Sequence, residues 1–333
     1  MENYLQNKEV ILSVKDLSVC FSLRGKSLHA IRGVSLDVYK GESLAIVGES
    51  GSGKSVLTKN FIGLLDKNGT IDKGEILFEG MDLAKFKTER EWAKIRGKKI
   101  AMVMQDPMTS LNPLKTIGWQ ISEALILNRG MNHAQAKAET LNILKDVGIS
   151  EPERRYKQYP HEFSGGMRQR VVIAIAVACS PEILICDEPT TALDVTIEAQ
   201  ILQILKDLKT QYNTAILMIT HNFGLVAEVA DRIAVMYAGN IVEQGNVFDV
   251  FAAPSHPYTR LLMRALPRKT KHEGRLETID GSVPRITEKK PGCRFANRCP
   301  LAKEICFTEN PPVLTVSHDH TFSCHFAEEA SKL

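Results

Sequence analysis

The segment Gly48–Ser55 reads GESGSGKS and fits the pattern G-x-x-x-x-G-K-S. Glycines in such a segment let backbone N–H groups curl around phosphate oxygens, and a helix that follows adds further N–H groups. Lys54 would then reach the β- and γ-phosphates of a nucleotide, and Ser55 would offer its hydroxyl to Mg²⁺. An apolar run precedes the segment and a helical pattern follows it, as the motif requires. The predicted phosphate-binding residues are Gly48, Glu49, Ser50, Gly51, Ser52, Gly53, Lys54, Ser55 and Val56.

A second segment whose residues could take part in catalysis is EILICDEP, Glu182–Pro189. Its four aliphatic residues predict a buried strand, which brings Asp187 and Glu188 out at its carboxyl end, where open α/β sheets bind ligands. Asp187 suits the second shell of Mg²⁺, and Glu188 suits a general base that orients and polarises an attacking water. On its own the pair could equally be a solvated acidic strand end. The phosphate-binding segment favours the catalytic interpretation.

A third segment is FSGGMRQR, in which Ser164, Gly165 and Gly166 open a predicted helix. The start of that helix is a second anion site, because two glycines allow close approach of its backbone N–H groups. One chain needs only one cradle for a γ-phosphate. A second cradle makes sense if it closes over a nucleotide bound by another chain. The sequence therefore predicts that these three residues contact nucleotide across a subunit interface.

Taken together, the three segments resemble the ATP-binding cassette (ABC) ATPases. The signature of that family is usually Leu-Ser-Gly-Gly-Gln, and this chain has Phe163 and Met167 in the two outer places. The resemblance implies ATP and Mg²⁺ as cofactors. It also implies an α/β fold: a P-loop NTPase (RecA-like) core with a β-rich N-terminal part and a helical subdomain.

The same resemblance assigns roles to four further positions. Gln105 matches the residue that senses Mg²⁺ and the attacking water and couples to the membrane partner. Asp194, in the tripeptide at 192–194, matches the loop that crosses to the other subunit. His221 matches the switch histidine at the γ-phosphate, although alone it would be an ordinary strand-end histidine. Phe21 is the candidate that stacks on adenine, or else a core aromatic, because it shares strand parity with apolar residues two and four positions earlier.

Longer stretches narrow the resemblance to one group. MQDPMTSLNPLKTIGWQI, DEPTTALDVTIEAQIL, HPYTRLLMRALP (256–267) and GCRFANRCP resemble the ATPase subunits of oligopeptide and dipeptide importers and of their nickel-importing relatives. The implied function is to power peptide import across the cytoplasmic membrane. A nickel or metal-chelate importer is the alternative. A soluble ABC machine for DNA repair or translation is disfavoured, because tandem cassettes, long coiled-coil inserts and basic arms are not seen.

The resemblance to importers also implies partners. These are a homologous second ATPase that forms a heterodimer, two membrane-spanning permease subunits, and an extracellular binding protein that acts through the complex. No nucleic acid is expected. The net charge of +3 agrees with this, because it provides no strong field for nucleic acid or anionic lipid.

Four of the seven cysteines are crowded near the C-terminal end: Cys293, Cys299, Cys306 and Cys324. No two of them form the Cys-x-x-Cys pair that is usual in a structural zinc site. The looser spacing suits four thiolates that converge on a larger body, such as a [4Fe–4S] cluster. The importers that this tail resembles carry such a cluster at matching cysteines. Zinc, or free or disulfide-bonded cysteines, are the alternatives. Three nearby histidines could replace a ligand, but we favour an exposed polar tail for them: His318, His320 and His325.

Several elements must position these residues. Short aliphatic runs predict parallel strands at SLAIVGES, KIAMVMQ, EILICDEP and TAILMITH, and RIAVMYAGNIVEQG predicts a hairpin. Helical patterns dominate between the strands. The expected domains are an ATP-binding core at 1–105 and 181–255, a helical subdomain at 106–180, and a small irregular Cys-rich extension at 256–333.

The composition of the 333-residue chain sets the expected compartment. Apolar residues make up 44% of it, enough for a substantial core, but no run of eighteen apolar residues occurs. No secretory signal pattern is visible at the N-terminus. We therefore expect a soluble, cytosolic chain that is peripheral to the cytoplasmic face of the cell membrane. Disulfides are not expected to persist there.

Overall fold

A computed structural model describes residues 8–191, 193–265, 279–284, 291–317 and 319–333. The chain divides into two compact units. The first unit comprises Met1–Tyr39, Leu44–Lys85 and Thr220–Leu333, and the second unit comprises Lys40–Ser43 and Phe86–Ile219. The predicted domain boundaries at 106, 181 and 256 stay predictions.

Strands and helices alternate along most of the chain. The strands are β1 Val10–Leu23, β2 Lys26–Tyr39, β3 Ser43–Val47, β4 Gly69–Phe78, β5 Met81–Asp82, β6 Ile100–Val103, β7 Ile183–Asp187, β8 Ala215–Thr220, β9 Arg232–Tyr237, β10 Asn240–Asn246, β11 Val313–Ser317 and β12 His320–Ser323. The α-helices are α1 Lys54–Asn60, α2 Glu89–Trp92, α3 Pro107–Ser110, α4 Ile117–Arg129, α5 His133–Asp146, α6 Pro152–Arg155, α7 Gly165–Val177, α8 Val195–Tyr212, α9 Phe223–Val229, α10 Val247–Ala252, α11 Pro257–Arg264, α12 Ile305–Thr308 and α13 Ala327–Ala330. Short 3₁₀ turns lie at Leu83–Lys85, Pro160–Glu162 and Ala296–Arg298.

The first unit contains two sheets. One is antiparallel with the strand order β2-β1-β4-β5 and forms the β-rich N-terminal part that the sequence predicts. In the other, the strand order is β11-β12-β10-β9-β3, with β3 parallel to β9. Strands β9 and β10 pair as a hairpin, as predicted, with Asn240 opposite Tyr237. Strand β3 is fully buried and leads into the phosphate-binding segment.

In the second unit, β6, β7 and β8 form parallel pairs in the order β8-β7-β6. Each corresponds to an aliphatic run predicted as a strand, and the residues of β8 are all buried. Between β6 and β7 the structure has only helices, turns and irregular segments, which confirms the helical character predicted there. Helix α8 is amphipathic and buries Ile201, Leu205 and Leu208 on one face.

The C-terminal extension is more regular than the sequence predicts. Strand β12 pairs with β10 and with β11, so the extension adds two strands to the second sheet of the first unit. Most residues of β11 are exposed, so the strand lacks the alternation of buried and exposed residues by which a strand is predicted from sequence. The strands form because the edge of β10 offers unpaired backbone groups. Tyr258 and Phe295, also from the extension, are fully buried in the same core as Tyr237.

None of the helices in the described part of the chain is both long and apolar enough to cross a membrane.

Candidate nucleotide and cysteine sites

The conformation of the phosphate-binding loop between β3 and α1 depends on glycine at two positions. Gly48 has φ +150°, and a Cβ there would lie 2.1 Å from the carbonyl oxygen of Met236. Gly53 has φ +105°, and a Cβ there would lie 2.8 Å from the carbonyl oxygen of Ala30. Both contacts are with backbone, which cannot move aside. Glycine at these positions therefore fixes the loop against neighbouring strands.

Lys54, the first residue of α1, folds back over this loop. Its Nζ donates to the carbonyl oxygens of Gly48 at 2.8 Å and Glu49 at 3.0 Å, and to Ser52 Oγ at 3.5 Å. The side chain is buried, with 6% of its surface exposed. A buried ammonium needs such oxygen partners to offset its lost hydration. The geometry holds the positive charge at the loop, as phosphate binding requires.

In the second unit, Glu188 follows the last residue of β7, Asp187, and has a left-handed backbone with φ +47°. Its N–H donates to the carbonyl oxygen of Ile219 at 3.0 Å. Its Oε2 accepts hydrogen bonds from Gln105 Nε2 at 2.9 Å and from Thr191 Oγ1 at 3.0 Å. Such a conformation costs free energy in a residue other than glycine and persists where surrounding bonds impose it. The carboxylate is therefore held in one orientation.

Glu188 and Gln105 were predicted separately from the sequence, and the structure brings their side chains into direct contact. Sequence reasoning missed Thr191, which also donates a hydrogen bond to this carboxylate. Thr191 could have been found from its position three residues after Glu188, because a residue three positions further along a turn can reach the side chain of the first residue.

The Ser-Gly-Gly motif begins α7. Ser164 is the N-cap residue, and its Oγ accepts a hydrogen bond from the N–H of Met167 at 3.4 Å. A Cβ on Gly166 would lie 2.6 Å from the side chain of Ile197, so glycine here lets α7 pack closely on α8. At Gly165 the nearest such contact is 4.0 Å away. Gly166 thus has a packing role within the chain, whereas the backbone at Gly165 is accessible.

Two further predicted site residues lie at exposed element ends. Asp194 is the N-cap residue of α8 and accepts a hydrogen bond from the N–H of Ile197 at 2.9 Å. His221 is exposed and follows β8 directly. Ala192, which precedes Asp194 in the predicted crossing loop, lies outside the described residues. The intersubunit role of Asp194 and the γ-phosphate role of His221 stay predictions.

Phe21 leaves the core face of β1. The register of β1 shifts on either side of Val19, so the alternation that would align Phe21 with the fully buried Leu17 and Val19 is broken. Phe21 is only partly buried, and its ring packs so tightly on Gly69 that a Cβ there would lie 2.7 Å from it. The core-aromatic alternative is therefore wrong. Adenine stacking by Phe21 stays a prediction.

The four tail cysteines line one cavity of about 20 Å³ in the first unit, larger than a single water needs. The remaining wall is mostly apolar, formed by Pro257, Phe295, Ala296, Leu301, Pro311 and Phe326 with His256 and His325. Backbone groups face the sulfurs, and the N–H of Phe326 donates to Cys324 Sγ at 3.4 Å. The N–H of Cys293 donates to the carbonyl oxygen of Cys306 at 2.7 Å, which ties the two cysteine segments together.

The electrostatics of this cavity disfavour bare thiolates at Cys293 and Cys299. The pKa of Cys293 is raised to about 11, mainly by burial, with a smaller raising effect of the neighbouring cysteines and a lowering hydrogen bond from the Phe295 N–H. Burial likewise raises the pKa of Cys299 to about 11, opposed by a hydrogen bond from the Leu301 N–H. The thiolate forms therefore need a compensating positive charge in the cavity.

Within the described residues, Cys20, His29 and Asp72 form a group of potential metal donors whose ligand atoms all lie within 4.8 Å of one another. These three residues are separate from the tail cysteines. Which group the four tail cysteines hold, an iron–sulfur cluster or zinc, stays a prediction.

The nearby histidines do not behave alike. His320 is buried, and its Nε2 lies 2.7 Å from Glu243 Oε1, so the interpretation of His320 as an exposed residue was wrong. The ring of His320 is therefore engaged by Glu243 and not by the cysteine site. His325 lines the cavity, and its Nε2 lies 3.1 Å from the carbonyl oxygen of Glu309. His318 lies outside the described residues.

Comparison with known proteins identifies the family to which the chain is similar. The family model described as ABC transporter matches residues 31–191, and the one described as oligopeptide/dipeptide transporter, C-terminal region matches residues 242–306. Oligopeptide transport ATP-binding protein AmiE of Streptococcus pneumoniae is 50% identical over 315 residues, which cover 95% of this chain and 89% of AmiE. Dipeptide transport ATP-binding protein DppD of Bacillus subtilis is 47% identical over 325 residues, 97% of each chain.

Solved structures give the same fold. The dimeric structure of MJ0796, a bacterial ABC transporter cassette, matches with a TM-score of 0.63 at 30% identity, covering 71% of this chain and 98% of MJ0796. The structure of cbiO1 from Clostridium perfringens, part of the ABC transporter complex cbiONQ, matches with a TM-score of 0.64 at 29% identity, covering 73% and 91% of the two chains.

Fold and motifs together define an ABC-type ATPase with a P-loop NTPase core, which binds and hydrolyses ATP to power transport. Within that class, the identities and their coverage show that the chain belongs to the family of oligopeptide and dipeptide transport ATP-binding proteins.

Proposed function

We propose that this chain is the ATP-hydrolysing subunit that powers peptide import across the cytoplasmic membrane. The observation that carries the proposal is the pairing of a cassette with the oligopeptide/dipeptide C-terminal region, in one chain that aligns with AmiE and DppD over nearly its whole length. The same pairing argues against a soluble machine for DNA repair or translation. No feature of the described residues favours the nickel or metal-chelate alternative.

Each residue of the nucleotide site has a chemical role in this proposal. Lys54 and the loop N–H groups bind the β- and γ-phosphates, and Ser55 binds the Mg²⁺ that neutralises their charge. Asp187 belongs to the second coordination shell of that Mg²⁺ and orients the groups that bind it. Glu188, held by Gln105, accepts the proton of the attacking water. His221 contacts the γ-phosphate.

A second, homologous ATPase completes the site. Ser164, Gly165 and Gly166 contact the nucleotide held by that partner, Asp194 reaches across the same interface, and Phe21 stacks on the adenine. The accessible backbone at Gly165 supports this arrangement, as does the dimeric form of the MJ0796 cassette. Two permease subunits then hold the pair at the cytoplasmic face of the membrane, and an extracellular binding protein delivers the peptide.

The isolated chain is expected to hydrolyse ATP slowly. Addition of the second ATPase and the permeases should raise turnover by roughly 10²-fold, the usual effect of donors aimed at a reacting group. Phosphate release measured at fixed chain concentration, with light scattering to establish the oligomeric state, checks this. A strictly monomeric chain that hydrolyses ATP as fast as the complex would contradict the shared site.

Lys54→Ala should weaken ATP binding by roughly 10–100-fold, because charge-assisted hydrogen bonds to the phosphates are lost. Lys59→Ala is the matched control, since Lys59 lies in the last turn of the same helix. Equilibrium binding of a fluorescent ATP analogue measures both variants. Equal affinity of the two would remove Lys54 from the phosphate site.

The tail cysteines hold a [4Fe–4S] cluster in this proposal, and zinc is the second candidate. Support comes from the shared cavity and from the raised thiol pKa values of Cys293 and Cys299. Cys293, Cys299, Cys306 and Cys324 would be its ligands. A cluster bound there supplies four metal–sulfur bonds that staple the extension, and binding free energy of this kind is folding free energy.

A further inference from the structure

The extension is bonded directly to the phosphate-binding loop through Glu49. Arg298 Nη1 donates to Glu49 Oε2 at 2.8 Å, and Arg298 Nη2 donates to Glu49 Oε1 at 3.1 Å. The two side chains are 6% and 25% exposed, respectively, so water competes little for the contact. A bidentate arginine–carboxylate pair is among the stronger and more directional polar contacts in proteins. Glu49 is therefore held at a defined position.

Arg298 is itself fixed by bonds other than the one to Glu49. Its Nη1 also donates to Tyr237 Oη at 3.2 Å, its Nη2 to the carbonyl oxygen of Ile279 at 3.0 Å, and its Nε to that of Asp280 at 2.9 Å. The guanidinium thus has partners along each of its three nitrogens. It is a preformed anchor that does not depend on the loop for its own orientation.

A second residue of the extension holds the backbone of the same loop position. The N–H of Glu49 donates to Tyr258 Oη at 3.1 Å. Tyr258 is fully buried, and its ring centre lies 4.6 Å from that of Tyr237 and 5.3 Å from that of Phe295. Both the side chain and the main chain of Glu49 are therefore held by the extension.

We propose that Arg298 and Tyr258 position the phosphate-binding loop through Glu49, so that the C-terminal extension sets the affinity of this chain for ATP. A loop that occupies its binding conformation only part of the time binds ligand more weakly in proportion to that fraction. The two contacts keep the loop in one conformation before ATP arrives. Arg298 and Tyr258 are positioning residues, because they act through Glu49 and the loop.

The same segment connects the loop to the cysteine cavity. Phe295 lines the cavity and packs against Tyr258 and Tyr237, and Arg298 directly precedes Cys299 in the chain. Phe295, Tyr258 and Arg298 thus connect the cavity to Glu49, and a change in the structure of the cavity should change how firmly Glu49 is held. The affinity for ATP should depend on whether the extension is intact.

The alternative is that the contact between Arg298 and Glu49 only stabilises the packing of the extension on the rest of the first unit. In that case Arg298→Ala would lower the melting temperature without changing the affinity for ATP. The measurement must therefore separate nucleotide binding from stability, and the KM for ATP from kcat.

Arg298→Ala should raise the Kd and the KM for ATP about tenfold, as expected if the competent loop conformation falls to about one tenth of the population. In the assembled transporter, kcat should stay within about twofold, because a loop that has bound ATP is in its competent conformation. Arg298→Lys should restore part of the affinity, since a lysine keeps the charge but loses the two-point contact. Lys303→Ala is the control for loss of a tail cation, because Lys303 pairs with Glu329.

A double-mutant cycle with Glu49→Gln makes the test decisive without relying on Arg298→Ala alone. If Arg298 acts through Glu49, the combined variant should bind ATP no more than about twofold more weakly than the worse single variant. Additive losses, or an unchanged Kd for Arg298→Ala in folded protein, would overturn the proposal. Glu49→Gln leaves the extension's own residues unchanged and so covers the case in which Arg298→Ala fails to fold. Unmodified protein that binds no ATP would instead count against the proposed function.

Discussion

Glu188→Gln is expected to leave ATP binding intact and to slow hydrolysis by roughly 10²–10⁴-fold, the usual size of a general-base contribution. The side chain keeps its shape, and an amide oxygen can accept the hydrogen bonds that Gln105 and Thr191 give to the carboxylate. The positive φ at this residue is also unaffected. What is lost is the ability to take a proton from water.

Two measurements on the assembled complex check this expectation: binding of an ATP analogue and release of phosphate. Glu182→Gln is the matched control, because Glu182 directly precedes the first residue of the same strand and pairs with Lys99 at 2.5 Å. It makes the same acid-to-amide change away from the carboxyl end of β7. Hydrolysis by Glu188→Gln at the unmodified rate would assign the base to another residue.

The parts of the site that were predictable from sequence are those in which the motif and its structural context are local. Gly48–Ser55 directly follows an aliphatic strand and Glu182–Pro189 contains one, and burial of the strand determines where the motif lies. Gln105 and Glu188 were each predicted from a local motif, whereas the contact between their side chains was not predicted. Local motifs need no knowledge of distant parts of the chain.

The parts that were not predictable depend on pairings far apart in sequence. Arg298 and Glu49 are 249 residues apart, and neither stands in a pattern that points to the other. His320 looked like part of a polar tail, but Glu243 pairs with it inside the core. The position of Phe21 was not predictable for a different reason. A bulge in β1 moves the Phe21 side chain off the core face, and no residue type in β1 indicates that a bulge is present.

The second large effect concerns the cysteine cavity. Anaerobically purified protein is expected to be brown and to contain about four irons per chain. Cys306→Ser should lose the colour and the iron, because one of the four thiolates is removed. Cys179→Ser is the control, since Cys179 lies in the second unit and its Sγ donates to the carbonyl oxygen of Ala124. Metal analysis and visible absorption measure both variants.

Loss of the metal should also loosen the extension, because metal binding contributes to its folding. Limited proteolysis should then cut the chain beyond Tyr258 in Cys306→Ser and spare the cassette. ATP affinity should fall about tenfold, to the level expected for Arg298→Ala, because Glu49 loses its anchor. Binding of ATP through Lys54 should persist, since Lys54 and its loop partners all belong to the cassette. Colourless anaerobic protein with one zinc per chain would replace the cluster by the zinc alternative, and the proteolysis result would stand unchanged.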